Sequence, residues 1–194
     1  MPCGHPPEPA ELCRIRIKFT FPNLPPSITG AARGQGRRDI AIERLHETVT
    51  AIRDSGGDAV AAVFDSTVEE SVHGLGAVAV EHFGGLDGWH NNAADTSNET
   101  VGVDLQSDAT TVSMSVWLRS FAVNLQEYLY GIRTAIPLSL ERGGGALVHT
   151  ASDGAIQALP NLPAYNATKA AILSLNRHVA VRWGSEGIRS NVRS

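Results

Sequence analysis

The sequence predicts an α/β protein with a doubly wound, mainly parallel sheet. Short apolar runs that suit buried strands alternate with helical patterns of ten residues or more. Polar residues follow several of these strands, and open parallel sheets bind ligands beyond the carboxyl ends of their strands. The 194 residues suit one domain. We place it at 27–194, after an irregular, proline-punctuated extension over 1–26 in which only Ile15–Phe21 suits a strand.

The first half of the domain should contain a turn, two helices and one strand. Three glycines within Thr29–Gly36 predict a tight turn, and apolar residues at helical spacing predict a helix from about residue 40 to 55. The apolar run Ala59–Phe64 predicts a buried strand. Ser66–Glu69 has the form of a capping box, which begins a helix that two glycines end after residue 83.

The second half should contribute two long helices and two strands. Leu86–His90 is a weak strand candidate, and Ala146–Thr150 is a stronger one. A helix is expected over 113–136, because the following proline lacks the N–H that would continue it. The last helix is expected over 164–183.

Composition excludes several functional classes. A formal net charge of -4 gives no electrostatic basis for binding nucleic acid or an anionic membrane. No apolar stretch approaches the roughly 18 residues that suggest a transmembrane helix. Cys3 and Cys13 cannot form a disulfide framework, and the seven histidines lack metal-ligand spacing. We therefore expect a cytoplasmic protein without a bound metal.

The glycines of the first turn, Gly30, Gly34 and Gly36, have the spacing GxxxGxG. Glycines let backbone N–H groups approach a pyrophosphate closely, and the dipole of the following helix favours its charge. An ordinary glycine loop is an equally good interpretation of this spacing alone. The basic group in and after the turn either binds a phosphate or is solvated; it consists of Arg33, Arg37 and Arg38.

Tyr165 and Lys169 lie four residues apart, which places their side chains on one face of the last helix. A nearby ammonium favours the ionised form of a phenol, because opposite charge stabilises it. At about 4 Å the attraction reaches roughly 4 kcal/mol at an effective dielectric constant near 20, but only about 1 kcal/mol in bulk water. The pair can therefore transfer protons near neutral pH only inside a cleft that largely excludes water.

Two further polar residues strengthen this interpretation. Ser152 follows a predicted strand thirteen residues before Tyr165, where a hydroxyl can bind a substrate oxygen or the alkoxide that develops from it. Asn124 lies among apolar residues of the long helix, and a buried amide either satisfies a backbone group or holds a water in a proton path. Alone, Ser152 would more simply cap a loop.

Together these motifs resemble the short-chain dehydrogenase/reductase family over roughly 27–191. They occur in family order: TGAARGQG at 29–36, the strand-end Asp65, NNAA at 91–94, Asn124, Ser152 and YNATK at 165–169. The terminal stretch 187–191 looks like the run-up to the next strand of the family. The resemblance implies a Rossmann-type fold that binds NAD or NADP and a small alcohol or carbonyl substrate.

The resemblance also implies a role for each site residue. Tyr165 would be the general acid in carbonyl reduction and the general base in alcohol oxidation, while Lys169 would support the phenolate and hold the nicotinamide ribose. Ser152 would orient the substrate oxygen, and Asn124 would keep a water in the proton relay. The cofactor would also contact Gly30, Arg33, Gly34, Gly36, Asp65, Asn92 and Ala93. Helices 113–136 and 164–183 would pair between subunits in a homodimer or homotetramer.

Two of the departures from the family pattern lead us to expect an incomplete sheet. We expect the second strand to be deleted, because Gly36 is followed almost directly by a helix. The sequence also reaches Ser194 before the later strands of the family. Two alternatives to an active oxidoreductase therefore stay open. One is a catalytically silent relative that serves as an association surface, and the other is a nucleotide-binding module without turnover.

Overall fold

The computed structural model describes the backbone at 11–18, 28–32, 38–157 and 159–194, and the side chains at 46–157 and 159–194. Strands and helices alternate from residue 28 onward, as the sequence predicts. In chain order the elements are β1 (Glu11–Lys18), β2 (Ile28–Ala32), α1 (Arg38–Asp54), β3 (Asp58–Asp65), α2 (Glu69–Phe83), β4 (Gly88–Asn91), a π-helical turn (Asn98–Gly102), α3 (Met114–Phe121), a second π-helical turn (Ala122–Gln126), α4 (Glu127–Leu140), β5 (Gly145–Thr150), a 3-10 turn (Asp153–Ala155), α5 (Pro163–Trp183), a second 3-10 turn (Gly184–Glu186) and β6 (Ile188–Arg193).

The strands form two three-stranded sheets. One has the order β4-β5-β6, and both of its pairs are parallel. The other has the order β2-β1-β3, in which β1 runs antiparallel to both neighbours. Since β2 and β3 each run opposite to β1, they run parallel to each other, and β2 also lies beside β4. The carboxyl ends of β2 and β3 therefore lie at the same edge of their sheet.

The position of β1 corrects the expectation of an irregular extension over 1–26. In the general doubly wound fold, whose own strands are numbered separately and lie in the order 3-2-1-4-5-6, strand 2 lies between strands 1 and 3. The chain passes from the glycine turn into α1 without such a strand, as expected, but β1 occupies the corresponding place between β2 and β3. The exposed N–H and C=O groups of two adjacent strand edges would otherwise lack partners, and antiparallel pairing satisfies them.

The main hydrophobic core joins the parallel sheet to α2, α4 and α5. Its buried members include Val72 from α2, Ile132 from α4 and Val179 from α5, packed against Trp89 of β4 and Leu147 of β5. Helices that cover a parallel strand bury both of its faces, which agrees with the apolar start of the central strand β5. Among the described residues, no helix combines the length and hydropathy needed to cross a bilayer.

Three details differ from the sequence expectations. The long helix does not end at Pro137 but continues to Leu140, because packing of its buried last turns compensates for one missing backbone hydrogen bond. The expected capping box does not form: α2 begins after Val68 without a side-chain cap. Residues 188–193 are not a run-up to a strand; they form β6, which pairs with β5.

Candidate active site

Tyr165 and Lys169 lie in the first two turns of α5, with their side chains on one face of the helix as predicted. The ammonium of Lys169 lies 5.6 Å from the centroid of the Tyr165 ring. Lys169 is 1% exposed and Tyr165 is half-buried. A charge inside the protein acts on its neighbours more strongly than one in water. The pair thus has the partly dry setting that proton transfer near neutral pH requires.

The backbone carbonyl of Thr150 fixes the end of the Lys169 side chain. Thr150 ends β5, and its carbonyl oxygen accepts a hydrogen bond from Lys169 Nζ at 2.9 Å. The same oxygen accepts a second hydrogen bond, from the hydroxyl of Tyr128 at 2.9 Å. Lys169 Nζ also donates to this hydroxyl at 3.4 Å. The ammonium is therefore held at the carboxyl end of β5, where parallel sheets bind ligands.

Ser152 lies in a turn that packs directly against the beginning of α5. Its hydroxyl accepts a hydrogen bond from the backbone N–H of Gly154 at 3.4 Å and so caps the short 3-10 turn. A Cβ atom added to Gly154 would collide with the side-chain oxygen of Asn166, the neighbour of Tyr165. The serine turn and the tyrosine turn are thus in van der Waals contact. Ser152 keeps the capping role of the simpler interpretation while lying beside the candidate catalytic helix.

Asn124 lies in the π-helical turn between α3 and α4 and is fully buried. Its carboxamide oxygen accepts a hydrogen bond from the backbone N–H of Asp95 at 2.8 Å, which fixes the orientation of the amide. Its Nδ2 has no hydrogen-bond partner among the described residues. Buried donors of this kind usually bind an ordered water or a ligand, and π-helical turns recur at functional sites.

Asp104 holds the first turn of α5 from a separate part of the chain. The helix begins after Leu162, which has no capping side chain and a backbone φ of 60°. The buried carboxylate of Asp104 accepts hydrogen bonds from the backbone N–H groups of Ala164 at 3.2 Å and Tyr165 at 2.8 Å. A carboxylate at this position satisfies unpaired N–H groups and interacts favourably with the helix dipole. It thereby fixes the backbone of Tyr165.

A buried hydrogen-bond network supports the end of β5 from behind. Asn91 Nδ2 lies 3.0 Å from His149 Nδ1, and His149 Nε2 lies 3.1 Å from the hydroxyl of Ser190. That hydroxyl donates to Asn176 Oδ1 at 2.8 Å. The pattern is consistent with a neutral imidazole that accepts at Nδ1 and donates at Nε2. Burial, together with the nearby His90, lowers the pKa of His149 to about 4, which keeps the ring neutral at physiological pH.

The predicted cofactor residues at strand ends occupy defined positions. Asp65 ends β3, and its Oδ1 accepts hydrogen bonds from the backbone N–H and the hydroxyl of Thr67. Asn92 follows β4, and its side-chain oxygen accepts a hydrogen bond from the hydroxyl of Thr150 at 2.7 Å. Ala93 is buried beside it. Asn92 thus connects the ends of β4 and β5 through Thr150, the residue whose carbonyl oxygen accepts a hydrogen bond from Lys169.

The glycine turn is described only in its first part. Gly30 lies inside strand β2 and is paired with Ile15, so the turn begins later than the sequence suggests. A strand can include Thr29–Ala32 because β1 supplies hydrogen-bond partners that the sequence did not reveal. Arg33, Gly34 and Gly36 lie outside the described residues.

Sequence reasoning missed Tyr128, Asp104 and Thr150. Tyr128 had a usable signal, because it lies four residues after Asn124 in the same long helix. The need for Asp104 was also visible in part, since Leu162–Pro163 offers no side-chain cap for a helix that begins there. Thr150 acts through its backbone carbonyl, which leaves no mark on the sequence. Within 46–157 and 159–194, no three histidine, cysteine, aspartate or glutamate side chains are grouped to hold a metal.

Comparison with known proteins identifies relatives that are named as reductases or dehydrogenases. Residues 38–194 match the family described as enoyl-(acyl carrier protein) reductase. The chain is 31% identical over 180 residues to 2-(R)-hydroxypropyl-CoM dehydrogenase of Xanthobacter autotrophicus, a match that covers 84% of this chain and 70% of the relative. It is 34% identical over 150 residues to 3beta-hydroxysteroid dehydrogenase 1 of Eggerthella lenta, covering 77% of this chain and 54% of the relative.

Solved structures resemble the fold as well. Carveol dehydrogenase from Mycobacterium avium, in complex with NAD, has a TM-score of 0.72 and 28% sequence identity. The match covers 83% of this chain and 55% of the solved chain. The chain thus spans between about half and 70% of the length of the relatives named here.

Proposed function

Because the chain belongs to the short-chain dehydrogenase/reductase family, we propose that it interconverts an alcohol and the corresponding ketone or aldehyde with NAD or NADP. The observation that carries the proposal is the buried ammonium of Lys169, which lies 5.6 Å from the ring of Tyr165. The relatives named above are dehydrogenases whose names denote alcohol substrates, which supports the same class of substrate here.

In this proposal Tyr165 moves the proton. During carbonyl reduction the phenol donates its proton to the substrate oxygen, and during alcohol oxidation the phenolate accepts it. NAD or NADP, when bound, would supply or accept the hydride at the substrate carbon. A positioned acid or base of this kind contributes roughly 10²- to 10⁴-fold to the rate. The charge of Lys169 stabilises the phenolate because it is fixed nearby at low solvent exposure.

Ser152 and Asn124 complete the proposed centre. The hydroxyl of Ser152, in the turn that contacts the start of α5, orients the substrate oxygen and stabilises negative charge that develops on it. Its weak 3.4 Å hydrogen bond to the N–H of Gly154 leaves its own proton available to donate. Asn124 offers its Nδ2, which has no partner in the described part of the chain, to a water that carries the proton onward.

The proposed place of a dinucleotide is at the carboxyl ends of the strands. In the proposal, Asp65, Asn92 and Ala93 contact the adenosine half, and Lys169 holds the nicotinamide ribose. The two described hydrogen bonds from Thr67 both use Asp65 Oδ1 and not Oδ2. Gly30, Arg33, Gly34 and Gly36 stay candidates for the pyrophosphate side. Their role rests on the sequence motif, since most of this turn lies outside the described residues.

A second candidate function is association through α4 and α5 without turnover. The two helices form a groove of about 290 Å³ whose lining includes Leu129, Ile136, Leu175 and Trp183. An apolar groove between two long helices is a suitable surface for pairing with a second copy of the chain. We propose a homodimer or homotetramer through this surface, whether or not the chain is catalytically active.

The test of the proposed function is a calorimetric titration of the 194-residue protein with NADH and NADPH, followed by turnover assays with simple ketones and secondary alcohols. We expect binding of at least one nucleotide and turnover that falls by about 10²-fold or more in Tyr165→Phe, with nucleotide binding retained. Tyr130→Phe, which removes the hydroxyl of a tyrosine outside the site, is the matched control and should keep full turnover. Binding without turnover would favour the nucleotide-binding module. Absence of binding would favour the silent relative.

A further inference from the structure

The ammonium of Lys169 lies between two phenol rings. It is 5.6 Å from the ring centroid of Tyr165 and 5.2 Å from that of Tyr128. Tyr128 is fully buried in α4, and Lys169 is 1% exposed in α5. The proposed mechanism uses Tyr165 and leaves Tyr128 without a role.

The hydrogen bonds around Thr150 have a definite direction. The hydroxyl of Tyr128 donates its proton to the Thr150 carbonyl at 2.9 Å, so its oxygen is left to accept. Lys169 Nζ donates to that oxygen at 3.4 Å and to the same carbonyl at 2.9 Å. The three groups form a closed set of hydrogen bonds at the end of β5. If the Tyr128 hydroxyl were removed, the Thr150 carbonyl would be the one member of this set that still accepts a hydrogen bond from the ammonium.

Tyr128 itself is held in place at both ends. Its backbone carbonyl accepts a hydrogen bond from Asn91 Nδ2 at 3.1 Å. Its ring centroid lies 6.1 Å from that of His149. Burial lowers the pKa of His149 to about 4. The neutral imidazole therefore places no competing positive charge beside the phenol. A rigid, buried hydroxyl of this kind fixes the position of a flexible lysine, which otherwise has many rotamers.

We propose that Tyr128 is a positioning residue for the Tyr165–Lys169 pair: its hydroxyl holds the Lys169 ammonium at the end of β5, beside the Tyr165 ring. The role of this pair in catalysis rests on the proposed function, whereas the positioning of Lys169 can be measured without it. Three other titratable groups contact this region: Asp104, which caps the Tyr165 turn, His149, and His90 at the hydroxyl of Thr150. Glu127 is buried one residue before Tyr128 in α4.

The sequence makes a direct test practical, because Lys18 and Lys169 are its only lysines. Protein labelled with ¹³C and ¹⁵N in lysine should give two side-chain ammonium signals, and a Lys169→Met variant assigns them. In the wild type we expect the Lys169 ammonium protons to exchange slowly with water and to show nuclear Overhauser contacts to both tyrosine rings. In Tyr128→Phe, which keeps the ring, we expect the Lys169 signal to shift and its proton exchange to accelerate.

Tyr130→Phe is the matched control, since it removes a hydroxyl two residues away in the same helix. It should leave the Lys169 signal where it is. An unchanged Lys169 signal in Tyr128→Phe would overturn the proposal and reduce Tyr128 to a packing residue. If Tyr128→Phe failed to fold, absence of the Tyr128–Lys169 Overhauser contact in the wild type would overturn it equally.

A nucleotide titration separates this proposal from the proposed function. We expect Tyr128→Phe to weaken NADH or NADPH binding by roughly five-fold, the loss that one hydrogen bond of about 1 kcal/mol produces, and Tyr130→Phe to leave it unchanged. Where turnover is measurable, the Michaelis constant for the nucleotide should rise with it. Unchanged affinity in Tyr128→Phe would contradict the link to the cofactor. A wild type that binds no nucleotide, but whose Lys169 signal responds to Tyr128→Phe, would refute the proposed function while the positioning role stands.

Discussion

The carboxylate of Asp104 accepts a hydrogen bond at 2.8 Å from the backbone N–H of Tyr165, across sixty-one residues of sequence. Asp104 is fully buried, and its own carbonyl accepts a hydrogen bond from the N–H of Leu162. The helix that carries the candidate catalytic pair is therefore capped by a loop that is remote in the sequence. The same connection contains Asp95, whose N–H orients Asn124. One connection thus fixes the backbone of Tyr165 and the amide of Asn124.

Asp104→Ala should lower both stability and turnover. Loss of a helix cap costs about 1–2 kcal/mol, and the freed first turn should misplace Tyr165. Asp104→Asn keeps an acceptor and should recover most of the stability. Asp108→Ala is the control, because Asp108 is exposed and its carboxylate accepts hydrogen bonds from Thr110 in its own turn. Thermal unfolding and turnover number are the measurements. Equal losses in Asp104→Ala and Asp108→Ala would contradict the special role of Asp104.

Gly131→Ala should destabilise the protein. A Cβ atom at this position would collide with Asn91 Oδ1 and Trp89 Nε1, which bond each other beneath α4. Overpacking of a close contact usually costs about 1–3 kcal/mol. Gly74→Ala is the matched control in α2, where an added Cβ meets nothing within 4 Å. It should stabilise the helix by up to about 1 kcal/mol. Chemical denaturation of both variants checks the opposite signs.

The buried His149 should make stability depend on pH between about 4 and 6.5. Its pKa is lowered from 6.5 to about 4 by burial and by His90, so the unfolded chain binds its proton more readily than the folded one. The contribution of His149 to the free energy of unfolding is fully present above the unfolded pKa. It is lost as pH falls through this window, by roughly 3 kcal/mol at most. Denaturation measured across this range should show a shallower slope in His149→Gln. His73→Gln, at an exposed position, should keep the wild-type slope.

The carboxylate of Asp95 should add a separate loss of stability at lower pH. Burial raises its pKa, but hydrogen bonds from Ser97 and Arg119 outweigh this, and the net pKa is lowered. Its contribution is present above the unfolded pKa and is lost as pH falls through the folded value. Arg119→Met should therefore flatten the most acidic part of the stability profile and leave the His149 window unchanged.

Leu129→Arg should convert the proposed dimer or tetramer into smaller species. Leu129 lines the groove between α4 and α5 and is 39% exposed. A charge placed in an apolar interface is costly to desolvate. Leu105→Arg, at an exposed apolar position outside the groove lining, is the control. Light scattering after size exclusion measures the mass. If the wild type were a monomer, or if wild type and Leu129→Arg had equal masses, this groove would be excluded as the interface between subunits.

Much of the site could be anticipated from residue spacing. Tyr165 and Lys169 share a helix face because four residues make about one turn, and Ser152 follows the strand that the apolar run predicts. The closed hydrogen-bond set around Thr150 could not be anticipated, because it depends on a backbone carbonyl and on Tyr128 from another helix. The helical continuation through Pro137 was missed for a similar reason. Local propensity disfavours it, and tertiary packing of α4 decides it.

The sequence by itself determined the family, the alternation of strands and helices after residue 28, and the positions of the candidate catalytic residues along the chain. These features depend on local periodicity and on motif order, which a linear sequence records. Only the tertiary structure decided that β1 pairs between β2 and β3, that Asp104 caps α5, and that Tyr128 binds the Lys169 ammonium. Each of these depends on contacts between residues far apart in the chain, and such contacts are selected by burial and hydrogen-bond satisfaction after the elements have packed.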